Sequence, residues 1–324
     1  MRVSREMHLL SRPVGRLPAP GDTKIVEVPV PEPGPGQIVV RNLFMSIDPG
    51  SLLRTADLSK VDIPYFEVGA PMWSDAIGEV LESDFEGLNA GDIVWHRFGW
   101  REFVVEDGTE FRRVDADAYP DLTYHLCFGL TAYVGISVAK IQPGEVVYVS
   151  SGGGAVGSIA GQLARLRGAG RVIGSVGTPE KAKYLRETLG YDVAFDWHDG
   201  VRENLEDLDV YYDNVGGTHL EAAIDALKPH GRAVMGGGME EIRSGEPRGP
   251  KNILSVIGKR LHLQGYYTFD HPELFPVFDE EFPKWVRSGE VVVPLTVVDG
   301  LENGIAAAID HLNGVYLGKV VLRI

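Results

Sequence analysis

The 324-residue sequence contains one cysteine, Cys127. A lone cysteine excludes a disulfide framework and any multi-cysteine zinc or iron–sulfur site. Positive charge is scarce as well: 31 Lys and Arg stand against 46 Asp and Glu, for a net charge of -15. Such a surface disfavours non-specific binding to nucleic acid or anionic membrane, yet it permits a locally positive pocket for an anionic ligand. No stretch approaches the roughly 18 apolar residues of a membrane helix, and the opening MRVSREMHLL joins no positive charge to an apolar run. The patterns H-E-x-x-H, G-x-S-x-G and G-x-x-x-x-G-K-[ST] do not occur. The nine histidines are scattered, and nothing in the sequence pairs Asp196, Asp213 or Glu241. These absences point to a cytoplasmic protein without a metal, a nucleic-acid partner or a membrane. If it is an enzyme, a cofactor carries the hard chemistry.

Glycine is plentiful, at 40 residues. The first 120 residues mix Pro, Gly and short β-branched runs, among them Ile38 to Phe44, Asp75 to Val80, Asp92 to Arg97 and Arg101 to Val105. Their close spacing predicts a small, irregular β-barrel. From Asp121 the character changes. Leu122 to Lys140 reads as one long helix containing Cys127. Strands at Glu145 to Ser150, Arg171 to Ser175, Val193 to Phe195, Leu208 to Tyr212, Arg232 to Met235 and Leu261 to Tyr266 then alternate with helices. This alternation predicts an α/β fold with a doubly wound parallel sheet. Leu261 to Tyr267 reads as an apolar strand at the sheet edge. The closing segment Gly318 to Arg323 reads as barrel material, so the chain is expected to leave its first domain and return to it.

The most informative segment is Val147 to Gly157, in which Gly152, Gly154 and Gly157 fit G-x-G-x-x-G between a strand and a helix. That context is the one a dinucleotide loop requires: backbone reaches the pyrophosphate, and the helix N-terminus offers N–H groups and a positive dipole end. An acid usually stands about 20 residues further on, to hold a ribose 2′-hydroxyl. Here the second strand ends Ser175-Val176-Gly177-Thr178, followed by Pro179, Glu180 and Lys181. No acid ends the strand and a lysine lies close, a combination that suits a 2′-phosphate and hence NADP(H). Thr178 is placed to cap the next helix and Pro179 to begin it.

Several segments resemble a known family. They include Asn42-Leu43-Phe44-Met45-Ser46-Ile47-Asp48-Pro49, Gly129-Leu130-Thr131-Ala132-Tyr133, Gly154-Ala155-Val156-Gly157-Ser158, Leu189-Gly190-Tyr191-Asp192, Tyr212-Asp213-Asn214-Val215-Gly216-Gly217, Gly249-Pro250-Lys251-Asn252 and Leu317-Gly318-Lys319. Nearly end to end, the chain resembles the zinc-free medium-chain dehydrogenase/reductase superfamily, in the branch of prostaglandin reductases, leukotriene B4 12-hydroxydehydrogenase and alkenal double-bond reductases. The resemblance implies a GroES-like catalytic domain at 1–124, a Rossmann NADP-binding domain at 125–294, a return segment at 295–324, and an active site in the cleft between the two domains. It implies NADPH, a homodimer, and reduction of a carbon–carbon double bond conjugated to a ketone or aldehyde. It places the pyrophosphate on Gly153, Gly154, Ala155 and Val156, and the 2′-phosphate on Lys181, with Trp197 at the adenine end. The nicotinamide side falls to Asn214, to Met235, Gly236 and Gly237, to Tyr266, Tyr267 and Thr268, and to Tyr316.

The departures concern the substrate. Gly50, Glu240-Glu241 and Ile253 stand where the branch carries tyrosines, Tyr316 replaces an asparagine, and Asp196-Trp197 replaces Asn-Tyr. Three candidates remain for the proton: Tyr65, Tyr267 and Glu241, the last through a pKa raised in an apolar cleft. Pocket shape is expected to depend on loops 51–72 and 239–251. A quinone reductase using the same cofactor, or an NADPH-binding sensor without catalysis, is the alternative.

Overall fold

A computed structural model describes residues 2–55, 64–244 and 248–324. Loops 51–72 and 239–251 therefore lie partly outside the described residues. The chain divides into two units, one of Met1–Leu126, Leu295–Tyr316 and Val320–Ile324, the other of Cys127–Pro294 and Leu317–Lys319.

The first unit is built on the long strand Gln37–Ile47. One edge pairs antiparallel with Ala76–Ser83. The other edge is shared: Phe103–Asp107 takes its first half and Lys319–Arg323 its second, with Val320 opposite Ile47 and Arg323 opposite Phe44. The last strand of the chain thus closes a sheet begun nearly 300 residues earlier. Period-two alternation points Ile38 and Val40 inward, where they meet Val80, Val94 and Val104 in a dry core.

The second unit holds six parallel strands in the order Val193–Asp196, Arg171–Val176, Val146–Val149, Leu208–Asp213, Leu227–Met235, His262–Gly265. Numbered by sequence within this sheet, that is 3-2-1-4-5-6, the doubly wound Rossmann order. The direction of winding reverses between the first strand and the fourth, and ligands of such sheets bind in the crevice beyond the strand ends there. The glycine loop leaves the first strand at this point, and the Asp213–Gly217 turn leaves the fourth.

Three expectations are corrected. The single helix expected over Leu122 to Lys140 is two elements, a 3-10 turn Leu122–Leu126 and an α-helix Gly129–Ala139. Asp121 tightens the first by accepting from the Thr123 N–H at 2.8 Å. The second starts at Gly129, where Phe282 packs so closely that a Cβ would lie 2.6 Å from its ring. Cys127 lies in the break, outside either helix, and burial pushes its thiol up to about 11. The edge strand His262–Gly265 is less apolar than expected, with His262, Gln264 and Gly265 exposed. The apolar exposure belongs to its neighbour in sequence, the helix Leu254–Lys259, where Leu254 is 76% and Ile257 74% exposed. No helix among the described residues is long and apolar enough to cross a membrane.

Candidate functional site

The glycine loop is a close-packed turn. Gly152 N–H donates to Ser175 O at 2.8 Å and Gly154 N–H to Ser151 O at 2.9 Å. The helix Gly157–Leu166 follows with Val156 at its N-cap and no side chain capping it. Ser158 N–H and Ile159 N–H already donate to Gly154 O at 3.0 Å and Val156 O at 3.1 Å, so what the turn offers an anion is chiefly the positive end of the helix dipole. Alanine at Gly157 forces a shift: a Cβ there would lie 2.8 Å from Ser151 C and 2.9 Å from Gly152 Cα, both backbone atoms. Tyr191 holds the opposite side by donating its hydroxyl to Gly157 O at 2.6 Å. Its ring fills the slot left by Gly161 and Gly174. From the other end of the chain, Gly318 N–H donates to Gly153 O at 2.8 Å. The candidates Gly153, Gly154, Ala155 and Val156 thus lie together on this turn.

At the end of the second strand, Thr178 caps the helix Pro179–Glu187 by accepting from Lys181 N–H at 3.3 Å, as its position in the sequence predicts. The Lys181 side chain is half-buried, and that burial lowers its pKa by penalising the ammonium form. A bound anion would relieve this penalty. Trp197 follows the third strand, and its Nε1 lies 3.5 Å from the point where a Cβ on Gly177 would sit. His198 stacks on the indole with ring centroids 3.8 Å apart, held by Asp196 at 2.6 Å from Nδ1.

Beyond the fourth strand Asp213 is buried and accepts from Val215 N–H at 2.9 Å and Gly216 N–H at 2.7 Å. The Tyr211 hydroxyl adds a bond at 2.6 Å. The sequence showed no partner for Asp196 or Asp213; the fold supplies partners for both, including in each case the backbone N–H two residues on. Burial raises the Asp213 pKa against these donors. Asn214 donates its side-chain amide to Ser150 O at 2.8 Å, tying the fourth strand's turn to the first's. Gly236 and Gly237 both donate N–H to Asp213 O, at 2.9 and 3.1 Å. A Cβ on Gly237 would lie 2.8 Å from Asn214 O. Met235, Gly236 and Gly237 therefore run directly over Asn214. Tyr266 N–H donates to Met235 O at 3.3 Å, and the Tyr266 hydroxyl meets those of Tyr212 and the Thr131 carbonyl. Burial pushes the Tyr266 phenol up to about 12. Thr268 bonds the Thr131 hydroxyl at 3.3 Å.

The glycine cradle, the uncapped helix and the half-buried lysine fit a dinucleotide carrying a 2′-phosphate. The cofactor candidates Gly153 to Val156, Lys181, Trp197, Asn214, Met235 to Gly237 and Tyr266 to Thr268 belong to the second unit, at the strand ends around the switch point. Tyr316 belongs to the first unit, half-buried.

The catalytic candidates are more dispersed. Tyr65 is in the first unit, exposed, with the Arg12 guanidinium 4.6 Å over its ring. Tyr267 is 62% exposed, and its ring packs on Phe269. Glu241 is exposed in the first turn of the short helix Met239–Ser244. Its neighbour Glu240 is engaged, accepting from Thr218 N–H and Oγ1 at 2.9 Å each. Among the described residues no group of three or more His, Cys, Asp or Glu is arranged to hold a metal.

Sequence reasoning missed His219. It is buried on the helix Gly217–Ala226, with Nδ1 3.0 Å from the Tyr148 hydroxyl, and faces the charges of Glu240 and Arg243. Desolvation lowers its pKa from 6.5 to about 4. The unfolded chain therefore takes up the proton first, and stability falls as pH drops from 6.5 towards 4. The full loss is about 3 kcal/mol at this site. Denaturant titrations at pH 7 and pH 4.5 should show the fall, and His219→Gln should make it shallower; an unchanged slope in the variant contradicts the assignment.

Comparison with known proteins matches two family models, the N-terminal domain of oxidoreductase at residues 5–114 and zinc-binding dehydrogenase at residues 155–283. The chain is 31% identical to an NADP(+)-dependent 2-alkenal reductase of Nicotiana tabacum, over 99% of this chain and 98% of that protein. It is 30% identical to prostaglandin reductase 1 of Bos taurus, over 94% of this chain and 95% of the other. Among solved structures, CurA of Vibrio vulnificus in complex with NADPH superposes with a TM-score of 0.89 at 28% identity, over 98% of each chain.

Proposed function

Because the chain belongs to the zinc-free medium-chain dehydrogenase/reductase superfamily, in its prostaglandin and alkenal reductase branch, we propose that its substrate is a small α,β-unsaturated ketone or aldehyde. It is an NADPH-dependent oxidoreductase acting on carbon–carbon double bonds. The observation that carries this reading is the end-to-end likeness to reductases of that class, joined to the absence of an acid at the end of the second strand. Bound NADPH supplies a hydride from its nicotinamide ring to the β-carbon.

The chain's own residues bind and orient. The Gly153–Val156 turn and the helix behind it hold the pyrophosphate. Lys181 neutralises the 2′-phosphate, and Trp197 covers the adenine end. Asn214, the Met235–Gly237 strand end and Tyr266–Thr268 line the nicotinamide side. NADPH oxidation in the presence of simple enones and enals tests the reading; turnover of quinones alone would favour the quinone reductase instead.

For the proton we favour Tyr267 over Tyr65 and Glu241, because its hydroxyl bonds no described residue and is open to a carbonyl oxygen. Tyr267→Phe should lower kcat about fivefold with the NADPH Michaelis constant unchanged, a modest loss because solvent reaches so exposed a position. Glu241→Gln should stay within about threefold of the parent. The reverse ranking would move the donor to Glu241.

We further propose a cytoplasmic homodimer. The open edge of His262–Gly265 leaves backbone groups unpaired, and Leu254 and Ile257 add exposed apolar surface beside it in sequence. A two-fold axis would satisfy both copies at once. Light scattering should give twice the 35.4 kDa of one chain. A monodisperse monomer at micromolar concentration would rule the dimer out.

A further inference from the structure

Arg243 stands apart from the ion pairs of this acidic chain. Its guanidinium lies over the Trp197 ring, 5.8 Å from the centroid, and is exposed. It makes no hydrogen bond or ion pair to a described residue, although Asp and Glu outnumber Lys and Arg by 46 to 31. The two residues are 46 positions apart in sequence. Arg243 comes from the short helix after the fifth strand, and Trp197 from the end of the third. Trp197 in turn reaches the end of the second strand, with Nε1 at Gly177, the residue before the Thr178 cap whose helix carries Lys181. Three segments therefore converge where a ribose 2′-substituent lies in a Rossmann site. An arginine resting on an indole is held in place while its N–H fork stays available, and that fork matches a phosphate.

We propose that Arg243 is a second cation for the 2′-phosphate of NADPH, delivered across the crevice by the segment that follows the nicotinamide-side strand end. The inference rests on the NADPH reading above and adds a residue to it. It gives this chain a bidentate phosphate partner in addition to the point charge of Lys181. The Trp197 indole N–H, set at the same strand end beside Gly177, adds a neutral donor there. The phosphate would then be gripped from both sides of the site, and the helix Met239–Ser244 would be tied to cofactor binding through Arg243 as it is to the Gly217–Ala226 helix through Glu240.

The test uses direct binding to the intact protein, followed by calorimetry. The ligands are 2′,5′-ADP, which carries the phosphate, and 5′-AMP, which lacks it. Arg243→Ala should weaken 2′,5′-ADP about tenfold at low salt, flatten its salt dependence and leave 5′-AMP within twofold. Arg243→Lys should recover part of the loss. Arg243→Ala binding 2′,5′-ADP within twofold of the parent overturns the inference and leaves the NADPH reading intact. Equal weakening of both ligands also overturns it, since Arg243 would then support the adenine and not the phosphate. A parent protein that does not distinguish the two ligands overturns the inference together with the NADPH reading beneath it.

Discussion

Replacing Gly157 by alanine is expected to weaken NADPH binding by about a hundredfold and to lower folding stability by about 2 kcal/mol. The added methyl group would meet Ser151 C at 2.8 Å and Gly152 Cα at 2.9 Å. These are backbone atoms, so no rotamer change relieves the clash. The helix cannot back away either, because Tyr191 donates to Gly157 O at 2.6 Å from the other side. The loop itself must move, and a displacement of about 1 Å in a positioning element costs on this order. Titration of bound-NADPH fluorescence measures the first effect and urea denaturation the second. An alanine variant that binds NADPH within threefold of the parent would show that the loop tolerates the shift and that Gly157 is not what shapes it. Loss of stability with unchanged affinity would place the role of Gly157 in packing alone.

The glycine loop was legible because its signal is local. A strand, three glycines at fixed spacing and a helix are all contiguous, and each glycine is there for a backbone reason that sequence alone expresses. The Thr178 cap and Pro179 start were legible for the same reason. The strand at Lys319–Arg323 was legible from its β-branched run, although its partner, Gln37–Ile47, is far away in sequence. What failed was long-range. The break between Leu126 and Gly129 is not announced by the residues near 127, and neither is the distant Phe282 that packs against Gly129. The brace from Tyr191 requires Gly161 and Gly174 to leave room on two different elements. The motif Leu189-Gly190-Tyr191-Asp192 marked the residue without revealing its task.

The catalytic candidates were harder still, because they were chosen by adjacency to motifs. Adjacency does not fix burial. Glu240 and Glu241 are neighbours, yet Glu240 reaches Thr218 while Glu241 faces solvent, since successive residues of a helix point about 100° apart. Likewise Tyr266 and Tyr267 are consecutive, but the first enters a buried hydroxyl cluster with Tyr212 and the second is 62% exposed. Just past the strand His262–Gly265, the first tyrosine turns into that cluster and the second towards solvent.

The parent enzyme should prefer NADPH over NADH by at least about tenfold, equivalent to roughly 1.4 kcal/mol, and Lys181→Ala should remove most of that preference. The argument is electrostatic. Burial lowers the Lys181 pKa by penalising the ammonium form, and a neighbouring phosphate would favour that form. A 2′-phosphate brings negative charge to the lysine; a 2′-hydroxyl does not. No acid at the end of the second strand is placed to accept the ribose hydroxyl of NADH, since the residues there are Ser175, Val176, Gly177 and Thr178. Truncation at Lys181 leaves the helix start intact, because the Thr178 cap accepts from the backbone N–H of that residue and not from its side chain. The loss should therefore appear in the Michaelis constant for NADPH, rising about tenfold or more, with the NADH constant and kcat little changed. Raising the ionic strength should erode the preference in the parent and have less effect in the variant, as expected when one phosphate contact has gone. Equal use of the two cofactors by the parent, or a parallel rise in both constants in Lys181→Ala, would mean that this lysine supports the fold of the site and does not read the phosphate.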